Sequence, residues 1–77
     1  MRVSPRIERH ADRVLGSAKA SELLAGAARL DEADFDGQDL DRIAAAMVVM
    51  AARGVPVDSI MALARTDWRD LLMAGGL

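Results

Sequence analysis

From Ile43 to Ala52 every residue is apolar, whereas an ordinary surface helix is apolar along one stripe only. At 100° per residue, Leu40, Ile43, Met47, Val48 and Ala51 fall on one side of a helix through this region. Ala45, Val49 and Ala52 fall on the opposite side, so the pattern asks for both sides to be shielded from water. Two arrangements answer that demand. Either the segment is a central helix wrapped by the others, or its second side is covered by another copy of the chain.

The flanking pattern supplies the wrapping helices. Ser4-Pro5 reads as an N-cap followed by proline at the first helical position, where its missing N–H costs nothing. Ile7, Ala11, Val14, Leu15 and Ala18 recur at helical spacing behind it. Gly16-Ser17 predicts a stop and a new N-cap, with a second helix over about 18–30 turning Ala20, Leu23, Leu24, Ala27 and Leu30 inward. Gly26 in that helix suits close approach of a neighbour. Residues 31–37 read as a loop pinned by Phe35, and the central helix then runs over about 38–53. Gly54 with Pro56 ends it. A fourth helix is predicted over about 57–65 with Ile60, Leu63 and Ala64 inward. Continued through Trp68, it would carry Asp67 into its apolar stripe. A break with Thr66 as N-cap, and Asp67 and Asp70 in a new first turn, avoids that conflict. The last helix then covers about 67–74 and stops at Gly75-Gly76. The fold class expected is all-α: a single domain over 1–77, built as a small bundle of four to five short helices around the central one.

Composition sharpens this picture. Fifteen alanines and nine leucines favour helix, while one Phe, one Trp and no Tyr disfavour sheet. Seventy-seven residues bury only about 60% of their unfolded surface. With no cysteine and one histidine, neither disulfides nor a structural zinc site helps. A dense helical core or self-association must compensate. The apolar run of ten residues is half the ~20 needed to cross a bilayer, and residues 2–13 are charged throughout, unlike a secretory leader. The expectation is a soluble, cytoplasmic protein with no membrane association.

Charge is unevenly placed. Residues 1–30 carry +3, residues 31–41 carry −6 and residues 42–77 carry +1. Arg6, Arg9, His10 and Arg13 form a basic stripe on the first helix, opposite Val14, Leu15 and Ala18. Such a stripe suits phosphates or an acidic partner, or pairs with the chain's own acidic loop. In that loop, Glu32, Asp34, Asp36 and Gly37 match positions 1, 3, 5 and 6 of a calcium-binding hand, but position 12 is Ile43 where a bidentate Glu is required. No metal site and no cofactor is expected. A helix-turn-helix over Gly54–Leu72 fails electrostatically, because Asp67 and Asp70 would face the phosphates.

Catalysis needs at least two suitably placed reactive groups. His10 stands alone and the serines at 4, 17, 21 and 59 fit helix starts, so no catalytic residues are assigned. The function expected is a non-catalytic protein-interaction module: a regulator, adaptor or inhibitor acting by helical surface contacts. Its partner would engage Arg6, Arg9, Arg13, Trp68, Leu72 and Met73. Self-association, as a homodimer, would use Ala45, Val49 and Ala52, whose small side chains permit close helix contact. A second reading is a nucleic-acid-associated regulator using the arginine stripe.

Overall fold

The computed structural model describes residues 1–35 and 37–75. Five α-helices follow in order: α1 (Pro5–Leu15), α2 (Ser17–Ala28), α3 (Leu40–Ala52), α4 (Val57–Thr66) and α5 (Trp68–Ala74). A 3-10 turn over Glu32–Phe35 lies between α2 and α3. The bundle is all-helical among the described residues, and α3 packs against each of the other four helices, most extensively α1 and α5.

Local chemistry explains the boundaries. The Ser4 side chain accepts from Ile7 N at 3.4 Å, and Pro5 opens α1. Gly16, at φ +83°, ends α1 and also stands at the N-cap of α2. Its amide donates to the Asp12 carbonyl at 3.0 Å, and its own carbonyl accepts from Ala20 N at 2.9 Å. Ser17 is therefore the first residue of α2 rather than its cap, and its hydroxyl donates to Asp12 Oδ1 at 3.0 Å. Beyond α2, Ala33 N donates to Asp31 Oδ1 at 3.0 Å and winds the expected loop into the 3-10 turn, which drives Phe35 into the core. The amino nitrogen of Met1 donates to the Leu30 carbonyl, and Arg2 N to Glu32 Oε2 at 2.9 Å. These bonds fasten the start of the chain to the end of α2.

Asp39 caps α3, its Oδ1 accepting from Asp41 N at 3.0 Å. At the other end Gly54 N donates to the Ala51 carbonyl and Val55 N to the Met50 carbonyl. These are the two bonds of a Schellman motif, with Gly54 supplying the left-handed residue at φ +90°. The break between α4 and α5 falls one residue beyond the expected place. Asp67, not Thr66, is the N-cap of α5, accepting from Asp70 N at 3.2 Å. Thr66 stays in α4 and donates its hydroxyl back to the Ala62 carbonyl at 2.9 Å. A carboxylate at the head of a helix is favoured both as acceptor and as charge.

One apolar cluster forms the core. It draws Ile7 and Ala11 from α1; Ala20, Leu23 and Ala27 from α2; Leu30 and Phe35 from the connection. From α3 come Ile43, Ala44, Ala46, Met47, Val48 and Ala51; from α4 Val57, Ile60, Met61 and Ala64; from α5 Leu71. Several expected positions differ. Val14 and Ala18 are exposed, because the buried face of α1 centres on Ile7 and Ala11 and leaves Val14 at its edge. Leu24 and Leu63 are only half-buried, while Val57 is buried without having been expected. The expected close approach at Gly26 is present: Met61 of α4 fills the place where a side chain would stand.

Candidate interaction surfaces

Among the described residues no polar or charged side chain is buried, so every group with chemistry to offer lies at the surface. Three surfaces carry the residues singled out from the sequence.

The first is the outer side of α5. Leu71 points to the core and is fully buried. Trp68 and Leu72, one turn apart, are half-buried and pack on the core's edge. Met73 is 76% exposed, the more open of the two large hydrophobic side chains exposed among the described residues. Arg69 belongs to the same surface: its guanidinium carbon lies 5.0 Å from the centroid of the Trp68 ring, within cation–π range. Sequence reasoning missed Arg69, although its i, i+4 relation to Met73 puts the two on one helix edge. The structure thus brings Trp68, Leu72 and Met73 together on one short helix and adds an arginine.

The second surface is α1. Arg6, Arg9 and Arg13 are exposed, and His10 is half-buried. Arg6 Nη2 lies 3.7 Å from Asp41 Oδ2 at the head of α3, the one ion pair within 4.0 Å among the described residues. The stripe therefore leans in part on the chain's own acidic segment. Arg9 and Arg13 border a cleft of ≈ 520 Å³ between α1 and α2, floored by Ala20 and Leu24. Glu8 and Asp12 stand on the same rim, so bases and acids balance there. α1 and α5 each pack on α3 far more than on each other, so the arginines and the α5 residues are not brought together.

The third surface is the open side of α3. Its six buried residues span about 200° of the helix, which leaves the side carrying Ala45, Val49 and Ala52 to the outside. Ala45 and Val49 are half-buried and Ala52 is exposed. The other helices thus wrap most of α3, but they do not close over this strip. Arg42 and Arg53, both exposed, adjoin it, and Arg53 Nη1 donates to the Ala74 carbonyl at the end of α5 at 2.5 Å.

Among the described residues no group of three or more His, Cys, Asp or Glu side chains converges as metal ligands would, and Asp36 of the calcium-hand alignment lies outside them. No described helix is long and apolar enough to cross a membrane. Comparison with protein-family models, with curated proteins and with solved structures finds no match to this chain.

Proposed function

We propose that the protein is a non-catalytic protein-interaction module, a regulator, adaptor or inhibitor in the cytoplasm whose partner docks on the outer side of α5. The observation that carries this reading is the composition of that surface. Trp68, Arg69, Leu72 and Met73 stand together, with Met73 76% exposed, on a helix of only seven residues. Aromatic residues, Met and Arg are the types enriched at protein interfaces, and Trp and Arg are prominent among energetic anchors. An unbranched Met side chain can reshape itself to a partner at small cost.

Self-association belongs to the same proposal, with the Ala45/Val49/Ala52 strip as its contact. A helix face of small residues admits a second helix at short distance, and covering Ala52 and the half-buried Val49 removes apolar surface from water.

The test is affinity capture from the native host with wild type, Met73→Glu and the triple Arg6/Arg9/Arg13→Ala variant, each checked for unchanged helix content. Capture that survives high salt and the arginine replacements but is lost in Met73→Glu is the expected result. Capture of nucleic acid that falls steeply with salt and depends on the three arginines would replace this reading with the nucleic-acid one.

A further inference from the structure

We infer that the α4–α5 junction is a hinge through which α5 exchanges between two copies of the chain, each α5 seating on the α3 of its partner. The two helices are separated by a single non-helical residue, Asp67, at φ −156° and ψ 80°. From Val57 to Ala74 the chain contains no glycine and no proline, so nothing in it forbids one helix of eighteen residues. Moving Asp67 alone into the helical region lets Trp68, Arg69 and Asp70 regain i→i−4 partners in α4.

The apolar pattern stays in phase across the break. On a continuous helix Val57, Ile60, Ala64 and Leu71 fall within about 60° of one another, with Trp68 and Met61 beside them. These are residues that the bent form also buries or half-buries, so both forms satisfy the same pattern. What opposes straightening is Asp67. Its carboxylate caps α5 in the bent form and would sit against the apolar stripe in the straight one.

Straightening lifts α5 from its own α3 and uncovers the surface around Ala46 where Gly75 sits. The segment shaped to that surface is α5 itself. A second copy supplies it with the Leu71 and Gly75 contacts and the Arg53–Ala74 bond remade between chains. Two such exchanges close on each other about a two-fold axis, so this contact by itself joins two copies and no more. The inference does not depend on what the outer side of α5 binds.

The experiment measures solution mass by light scattering over a concentration series for wild type, Asp67→Ala and Asp67→Asn. Losing the cap shifts the bent–straight balance about fivefold per chain. The dimerisation constant counts two hinges, so Asp67→Ala should dimerise about thirtyfold more strongly than wild type. Asp67→Asn, which keeps a cap but brings no charge to the apolar stripe, should dimerise more strongly than wild type and less strongly than Asp67→Ala. Because the chain has no cysteine, a short bis-maleimide on the Arg53→Cys/Ala74→Cys pair, introduced into Asp67→Ala, reports which chains touch. Covalent dimers on a denaturing gel are expected. An Asp67→Ala protein that stays monomeric at every concentration, that loses helix content, or whose dimers cross-link only within chains (as pairing through the open strip of α3 would give) overturns the inference.

Discussion

Replacing Gly75 by alanine sets two physical effects against each other, and the structure decides the sign. Gly75 follows α5 with φ −75° and ψ −2°, a conformation open to any L-residue. Considered alone, the added methyl should stabilise by about 0.4–1 kcal/mol, because the unfolded chain loses freedom. The tertiary contact says the reverse. A Cβ at this position would stand 2.7 Å from Ala46 Cβ and 2.9 Å from Ala46 Cα. Ala46 is fully buried on the central helix, so the atoms in the way are backbone and the first side-chain carbon, neither of which can rotate aside. Overpacking of this kind costs about 1–3 kcal/mol. The net expectation is a loss of about 1–2 kcal/mol, drawn from a total stability of about 4–11 kcal/mol for a chain of this length. With a urea slope near 1 kcal/mol per molar, the unfolding midpoint should fall by about 1–2 M. Two probes read it. Far-ultraviolet circular dichroism follows the whole bundle, and the single tryptophan, Trp68, sits on the helix that must move. If the structure yields by detaching α5 alone, the fluorescence transition will precede the circular dichroism one. A Gly75→Ala protein as stable as wild type, or more so, would refute the close approach of α5 to α3.

Gly26→Ala is the matching control: the three atoms nearest its Cβ all belong to the Met61 side chain, at 3.1–3.4 Å, and an unbranched methionine can give by the few tenths of an ångström required. Helix propensity should then offset the crowding, leaving stability within about 0.5 kcal/mol of wild type in the same urea titration. Phe35→Ala empties a site that is essentially closed to solvent, at a cost of about 3–5 kcal/mol; calorimetry should find the unfolding temperature lowered by at least about 12 °C, and a cooperative transition near the wild-type temperature would contradict the placement of Phe35. Asp41→Asn removes the Arg6 contact, but that pair lies at the surface, so the loss should be under about 1 kcal/mol and should shrink as salt is added. Met73→Glu should leave the unfolding midpoint unchanged, since the side chain is mostly in water already.

Much of the scaffold is legible in the residue order because its causes are local. Ser4-Pro5, Gly16, and Gly54 with Pro56 act on the backbone within a few residues, so the ends of α1 and α3 follow from the residues at those ends. Phe35 as the plug of the second connection follows from being the one large apolar side chain in an acidic stretch. The Asp67 cap lies at the limit of such reasoning, because Thr66 and Asp67 are both good caps and the choice depends on which neighbour α5 must reach.

Burial at the margins of a helix face is not local, and there the sequence misleads. Val14 repeats with Ile7 and Ala11 at helical spacing, yet it is 47% exposed, because whether the edge of a stripe is covered depends on where the neighbouring helix crosses. Leu24 and Val57 diverge from expectation for the same reason, in opposite directions.

The candidate surface divides along the same line. Trp68, Leu72 and Met73 are close in sequence, and their sharing of one helix could be read from spacing. That Met73 stands in water while Leu71 is sealed, and that Arg69 covers the indole, depend on how α5 lies across α3. The chain by itself determined four to five helices, most of their stops, and an apolar middle segment needing cover on more than one side, since propensity, capping and periodicity act over a turn or two. Only the tertiary structure decided which sides are covered: the four surrounding helices close over about 200° of α3 and leave Ala45, Val49 and Ala52 at the opening. Packing angles are a joint property of all the faces in contact, and no single stretch of residues contains them.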